Sequence, residues 1–152
     1  MFLSKLYKIY VRLGLIGYKI VLPLMRIFIR RTERAYVMLQ DGDNILMTKN
    51  WLSNGLWALP GGGIRAGESR EQAVIREVKE EINVDLRGIQ FELVARGIWQ
   101  TDRLDFKYTI FKAQHNPGVY EANGHEITNV EWIPTIDLNV ANTSQELLAI
   151  TQ

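Results

Sequence analysis

Apolar and polar residues follow three different patterns along this chain. From Arg34 onward, short runs rich in β-branched and aromatic residues, separated by turn residues, predict strands. These runs cover 34–40, 45–51, 89–99, 104–114 and 128–133. Helical spacing of apolar residues occurs over 69–82 and again over 143–151, where Thr143 or Ser144 is the expected N-cap. One α+β domain accommodates all of these elements.

The helix predicted over 69–82 has a capped start and two unlike faces. Ser69, with Gln72 three residues later, fits a capping box. The face expected to pack on the core carries Val74, Ile75, Val78 and Ile82. The other face carries three carboxylates at positions i, i+3 and i+4, namely Glu77, Glu80 and Glu81. Like charges at this spacing repel, so either water screens them or a cation binds them, and hard oxygen ligands suit Mg²⁺ or Mn²⁺.

The first 31 residues follow the third pattern, that of a basic amphipathic helix. Their longest unbroken apolar runs are six or seven residues, far short of the roughly 20 that a transmembrane helix needs. At about 100° per residue, six cations fall within an arc of roughly 60°. These are Lys5, Lys8, Arg12, Lys19, Arg26 and Arg30. Such a stripe suits a helix lying in a membrane interface, and it equally suits a helix that packs on its own domain or forms a homodimer.

Composition changes this picture mainly through charge. The chain has 152 residues, the size of one domain, and its 47% hydrophobic content argues against wholesale disorder. Because there is no cysteine, disulfides, thiolate zinc sites and cysteine nucleophiles are excluded, and the cytosol is the expected compartment. The net charge of +1 favours no nucleic-acid partner, but it is divided unevenly. Residues 1–31 hold seven basic and no acidic residues, whereas residues 32–152 hold 11 basic and 17 acidic ones, a net charge of −6.

The segment before the carboxylate helix completes a recognisable motif. Three glycines, Gly61–Gly63, let the backbone approach a ligand closely, and "GGIRAGESREQAVIREVKEEINV" (62–84) resembles the Nudix box, G-x5-E-x7-R-E-U-x-E-E-x-G-U with U aliphatic. Eight positions match at the required spacing: Gly62, Glu68, Arg76, Glu77, Val78, Glu80, Glu81 and Val84. A chance match at all eight is on the order of 10⁻⁸ per start site. Asn83 replaces the usual glycine, which we expect to be tolerated because asparagine also adopts left-handed backbone geometry.

The resemblance implies a fold and a metal site. The fold is the Nudix fold, a mixed β-sheet sandwiched between helices, here over residues 32–152 with an extra N-terminal amphipathic helix in residues 1–31. The resemblance assigns Mg²⁺, with Mn²⁺ as the alternative, to three main ligands: Glu77, Glu80 and Glu81. Gly61 would add its carbonyl oxygen, and Glu68 would be an additional or water-mediated ligand. Arg76 would hold the carboxylates in place through a bidentate ion pair.

The resemblance also implies hydrolysis of a phosphoanhydride in a nucleoside triphosphate or a nucleoside diphosphate-linked small molecule. Glu77 or Glu80 within the box, or Glu126 beyond it, would act as the general base, although Glu126 equally fits a solvent-exposed loop carboxylate. Trp99 and Gly62 are the expected substrate contacts. The alternative is a Nudix-like module that senses a nucleotide with little turnover and is tethered or dimerised through its N-terminal arm.

Overall fold

The computed structural model describes residues 33–51, 53, 55–100, 105–115, 120–124 and 126–151, so the expected N-terminal amphipathic helix lies outside the described residues. Six strands are described: β1 Arg34–Asp41, β2 Asn44–Asn50, β3 Gly61–Gly63, β4 Glu92–Gln100, β5 Asp105–Gln114 and β6 Ile127–Pro134. The helices are α1 Arg70–Ile82, a short 3₁₀ turn Thr135–Asp137, and α2 Gln145–Thr151. Within these ranges, no helix has the length and apolar character needed to cross a bilayer.

The strands form one mixed sheet in the order β4-β5-β1-β2-β6. β1 runs parallel to β5, and the other neighbouring pairs are antiparallel. β2 pairs with β1 only beside their hairpin, where Gln40 lies opposite Ile45. β3 pairs with the same edge of β1, but at the beginning of the strand, where Arg34 lies opposite Gly63 and Tyr36 lies opposite Gly61. The glycine strand is therefore held against the start of the central strand.

Alternation along β1 divides the core between the two faces of the sheet. Ala35, Val37 and Leu39 are fully buried on the face that α1 covers. Tyr36 and Met38 point to the opposite face, where α2 packs. On α1, the apolar stripe behaves as predicted, because Val74, Val78 and Ile82 are fully buried, with Ile75 packed at their margin. The predicted arrangement of a mixed sheet between helices is confirmed.

The ends of α1 are set by local chemistry. Ser69 Oγ accepts a hydrogen bond from the Gln72 backbone N–H at 3.1 Å, and Gln72 Oε1 accepts one from the Ser69 N–H at 2.8 Å, which confirms the capping box. Asn83 ends the helix with φ 60° and ψ 24°, the left-handed geometry expected there. Its side-chain oxygen also accepts a 2.6 Å hydrogen bond from Lys79 Nζ. At α2, Ser144 rather than Thr143 is the cap, since Ser144 Oγ accepts from the Leu147 N–H.

Candidate metal and diphosphate site

The glycine strand β3 and the last turn of α1 meet through a backbone hydrogen bond. The Gly61 N–H donates to Glu81 Oε2 at 3.0 Å. Gly61 has φ 135°, and a Cβ atom there would lie 2.3 Å from the carbonyl oxygen of Ala35. Only glycine therefore lets β3 press against β1 while its N–H points at the helix. The expected coordination by the Gly61 carbonyl stays a prediction.

Glu81 is a buried carboxyl group in a ring of negative charge. Glu81 is only 7% exposed to solvent. This burial is the main reason that the pKa of its carboxyl group is raised to about 8. The hydrogen bond from the Gly61 N–H lowers the pKa, whereas the charges of Glu77, Glu126 and Glu80 raise it. Four carboxyl groups from two parts of the chain thus share one electrostatic environment, and a bound cation would stabilise their ionised forms.

Gly62 makes room for the carboxylate of Glu77. A Cβ atom on Gly62 would lie 2.6 Å from Cδ of Glu77 and 2.8 and 2.9 Å from its two oxygens. The carboxylate therefore occupies the space that any larger residue at 62 would fill. Gly62, expected as a substrate contact, is placed by the structure directly against a predicted metal ligand.

Arg76 connects the loop to the carboxylate helix. Its Nε and Nη2 atoms bind the two oxygens of Glu68 at 2.8 and 2.9 Å, and Nη2 also donates to the Gly63 carbonyl at 2.8 Å. Its Nη1 atom pairs with Glu77 Oε1 at 2.8 Å and Glu80 Oε2 at 3.2 Å. This pairing lowers the pKa of Glu68 to about 2 and raises the pKa of Arg76. The planar guanidinium thus fixes three carboxylates relative to one another.

The donor set fits a divalent cation after side-chain rotation. As the side chains are oriented, no group of three or more His, Cys, Asp or Glu residues in the described part of the chain is arranged to hold a metal. Both oxygens of Glu68 and one of Glu77 face Arg76. All available donors are carboxylate oxygens, the ligand type of Mg²⁺ and Mn²⁺. Both oxygens of Glu80 also face arginine side chains, those of Arg65 and Arg76. Coordination by Glu77, Glu80 and Glu81, and a direct or water-mediated contact of Glu68, stay predictions.

Asn123 brings Glu126 to the carboxylate cluster. The Asn123 backbone N–H donates to the Glu81 carbonyl at 3.0 Å, and its side-chain amide donates to the Glu80 carbonyl at 3.2 Å. Its side-chain oxygen in turn accepts from the Glu126 N–H at 3.0 Å. Glu126 is exposed, and its charge contributes to the raised pKa of Glu81. Asn123 was not among the site residues expected from the sequence, because its hydrogen bonds reach a helix more than 40 residues earlier in the chain.

An aromatic cleft of about 420 Å³ opens on the α2 face of the sheet. Its walls include Tyr36, Trp57, Leu59, Trp99, Phe106 and Ile110. Trp99, the expected substrate contact, stacks on Phe106 with ring centroids 6.0 Å apart and meets Tyr108 edge-on at 5.3 Å. Trp99 is only partly buried, so it combines a packing role with a surface that faces the cleft.

Tyr36 links the cleft to the carboxylates. The pKa of Tyr36 is raised, and burial is the main cause. The nearby Arg34 lowers this pKa through its charge and through hydrogen bonding, whereas the charges of Glu81 and Glu77 raise it. The hydroxyl of Tyr36 therefore lies within electrostatic range of the predicted metal ligands while its ring lines the cleft. Tyr36 thus connects one wall of the cleft electrostatically with the predicted metal ligands.

Comparisons with known sequences identify related proteins. The family model of the NUDIX domain matches residues 30–150 of this chain. A putative 8-oxo-dGTP diphosphatase from Bacillus subtilis is 32% identical over 104 residues, which are 67% of this chain and 66% of that protein. An NAD-capped RNA hydrolase from Pseudomonas entomophila is 26% identical over 118 residues, which are 75% of this chain and 40% of that protein. The matched regions thus span less than two thirds of the length of each of these relatives.

Solved structures share the fold. A MutT NUDIX hydrolase from Burkholderia pseudomallei aligns with a TM-score of 0.69 at 21% identity, covering 80% of this chain and 96% of that one. An Ap4A hydrolase from C. elegans aligns with a TM-score of 0.67 at 20% identity, covering 79% of this chain and 92% of that one. At these identities the likeness concerns the arrangement of helices and strands.

Proposed function

The chain belongs to the Nudix family, and we propose that it is a metal-dependent pyrophosphohydrolase that cleaves a phosphoanhydride bond in a nucleotide. The observation that carries the proposal is the buried Glu81, surrounded by other carboxyl groups and held by the Gly61 N–H. Such a cluster is unfavourable without a cation. Arg65 and Arg76 pair with Glu68, Glu77 and Glu80, whereas the ion pairs between described residues do not include Glu81. The site is therefore suited to a divalent ion carrying a diphosphate.

Each residue has a stated task in this proposal. Mg²⁺ or Mn²⁺, when bound, neutralises diphosphate oxygens and lowers the pKa of a bound water. Glu77, Glu80 and Glu81 hold the ion, and Arg76 keeps their carboxylates in position. A carboxylate oxygen accepts the proton of the attacking water. Glu126 is a candidate for this base because it is exposed at the edge of the cluster. Glu77 and Glu80 are the alternative bases.

The aromatic cleft is the proposed site for the nucleoside. Stacking of a base on aromatic side chains contributes about 1–3 kcal/mol per base, so Trp99→Ala should raise KM by about 10-fold or more with a smaller effect on kcat. The similarity to an 8-oxo-dGTP diphosphatase favours nucleoside triphosphates as the first substrates to examine. The NAD-capped RNA hydrolase adds capped RNA to the test panel, although the sequence favoured small molecules.

A phosphate-release screen tests the proposal directly. We would assay nucleoside triphosphates, nucleotide sugars and capped RNA with Mg²⁺, using the native protein, Glu80→Gln and the matched control Glu71→Gln. Glu71 is exposed in the first turn of the same helix. We expect metal-dependent release by the native protein and the control, and at least a tenfold loss in Glu80→Gln. If nucleotides bind to the native protein but none is hydrolysed, the sensing module is the correct function.

The N-terminal arm has a separate proposed role, contact with a membrane surface or with a second copy of the chain. Its seven cations and lack of acidic residues are the basis for this. Replacing Lys5, Lys8 and Arg12 by glutamate should abolish co-sedimentation with anionic vesicles if the membrane role is correct. If binding to vesicles is absent in the native protein and sedimentation gives a dimer, the arm serves association instead.

A further inference from the structure

Arg34, the first residue of β1, lies beside the aromatic cleft. Alternation along the strand directs it to the same face as Tyr36, and its guanidinium carbon lies 4.8 Å from the ring centroid of Phe106. Burial raises the pKa of Tyr36, whereas the positive charge of Arg34 lowers it. Two aromatic residues that line the cleft therefore lie near one cation at its edge.

One donor of this cation lacks an acceptor in the part of the chain that the structure describes. The Nε atom of Arg34 is buried, and it has no hydrogen-bond partner among the residues that the structure describes. The ion pairs between described residues do not include Arg34 either. A buried donor without an acceptor is unfavourable, and a bound ion or water is one common explanation for it in a native structure. Arg34 as a whole is only partly buried, so an anionic ligand can reach its other N–H donors and offset this cost.

The position of Arg34 indicates which part of a nucleotide it meets. Its backbone lies opposite Gly63, and Tyr36 lies opposite Gly61, so both belong to the segment of β1 that borders the glycine strand. The hydroxyl of Tyr36 is close enough to Glu81 and Glu77 to be affected by their charges. Arg34 therefore contacts a ring of the cleft from the part of β1 that borders the glycine strand, and Tyr36 lines the cleft from the same part.

We propose that Arg34 binds the phosphate group attached directly to the nucleoside of the substrate, with Phe106 fixing the plane of its guanidinium. This inference rests on the proposed function, since it assumes a base in the cleft and a phosphoanhydride at the carboxylates. A guanidinium stacked on a ring retains its in-plane N–H donors, and these match the oxygens of a phosphate. The preferred substrates are then nucleosides with a phosphorylated sugar, and recognition of that phosphate needs no metal.

Calorimetric titration without metal separates this role from simple packing. In EDTA, we would titrate the full-length protein with a nucleoside and with its 5′-monophosphate, the nucleoside being the one preferred in the hydrolysis screen or, without a preference there, guanosine. The native protein should bind the monophosphate at least tenfold more tightly than the nucleoside. Arg34→Gln should remove this preference and change nucleoside affinity by less than about twofold, whereas Arg34→Lys should keep part of it. Arg87→Gln is the matched control, because Arg87 is exposed and pairs with Asp85 away from the cleft.

The outcomes distinguish this inference from the proposed function. If Arg34→Gln weakens nucleoside and monophosphate equally, Arg34 only supports the rings, and the inference is wrong. It is also wrong if Arg34→Gln and Arg34→Lys both keep the native preference, even when the native protein is an active hydrolase. If the native protein hydrolyses nothing but shows an Arg34-dependent preference for the monophosphate, the proposed activity fails and the phosphate site stands. Circular dichroism of both variants verifies that they are folded.

Discussion

The three consecutive glycines of β3 should give three different results when each is replaced by alanine. Gly62 has no positive φ, and the three atoms nearest to its added Cβ would be those of the Glu77 carboxylate, at 2.6–2.9 Å. Because that obstacle is the end of a flexible side chain, Glu77 can rotate away while the backbone stays in place. Because Glu77 leaves its ion pair with Arg76 when it rotates, we expect Gly62→Ala to lower the free energy of unfolding by about 1 kcal/mol, the low end of the usual cost of overpacking. The displaced carboxylate should lower metal affinity and kcat/KM by about 10- to 100-fold.

The neighbouring glycines provide opposite controls. At Gly61, the added Cβ would lie 2.3 Å from the Ala35 carbonyl oxygen and 2.7 Å from the Tyr36 Cα, and φ is 135°. Backbone strain of about 1–3 kcal/mol and overpacking of about 1–3 kcal/mol together predict a loss of about 2–6 kcal/mol. At Gly63, nothing lies within 4 Å and φ is not positive. Gly63→Ala should therefore stabilise the protein by about 0.4–1 kcal/mol, because alanine lowers the conformational entropy of the unfolded chain.

Two measurements on the three variants test this reasoning. Guanidinium unfolding in EDTA gives the stability of each metal-free variant, and Mg²⁺ titrations of turnover give the apparent metal affinity. The decisive result is a Gly62→Ala variant that is clearly more stable than Gly61→Ala but needs far more Mg²⁺ than Gly63→Ala. If Gly62→Ala has the Mg²⁺ dependence of the native protein, the carboxylate of Glu77 does not hold the metal. If it unfolds as readily as Gly61→Ala, the backbone rather than the side chain absorbs the clash.

Other substitutions test the surrounding network. Arg76→Gln should lower the free energy of unfolding by about 1.5–3 kcal/mol at pH 7. In the native protein, the pairing with Arg76 lowers the pKa of Glu68 from 4.5 to about 2. The ion pair therefore stabilises the fold fully above pH 4.5, and this stabilisation is lost as the pH falls towards 2. The difference between native protein and variant should therefore shrink in urea titrations at pH 3. For Glu81, the pKa is raised, so the metal-free native protein should lose up to a few kcal/mol of stability as the pH rises from 4.5 to 8. Melting scans of Glu81→Gln in EDTA should lack this loss, and Mg²⁺ should stabilise only the native protein. Asn83→Gly should keep full activity and change stability by less than about 1 kcal/mol, whereas Asn83→Val should lose about 1–2 kcal/mol, because a β-branched residue is strained at φ 60°; chemical denaturation with an activity assay checks both.

Local chemistry explains which parts of the fold the sequence predicted. The capping box at Ser69 and the left-handed cap at Asn83 each depend on residues within four positions, so the limits of α1 followed from the sequence almost to the residue. The hairpin between β1 and β2 was predictable for the same reason. By contrast, the pairing of β3 with the start of β1 joins residues about 27 positions apart, and no local pattern determines which strand edge is available.

The candidate site divides in the same way. The spacing of Arg76, Glu77 and Glu80 identified a charged network because one helix presents all three side chains. The attachment of Glu126 depended on Asn123, whose hydrogen bonds reach back more than 40 residues to α1. Arg34 was missed because a basic residue at the start of a strand is ordinary in sequence. Its buried Nε and its contact with Phe106 exist only once β5 lies beside β1.

The two halves of the proposed site depend on the register of a single strand. Along β1, Ala35 and Val37 anchor the face under α1, while Arg34 and Tyr36 face the cleft. A slip of one residue would bury Arg34 beneath the helix and turn Ala35 towards the ligand, so the hydrophobic pattern that fixes the core also fixes the phosphate site. The glycines of β3 use the same register, because Gly61 must lie opposite Tyr36 to direct its N–H to Glu81. The alignment of the base cleft with the carboxylate cluster is thus a consequence of how β1 packs.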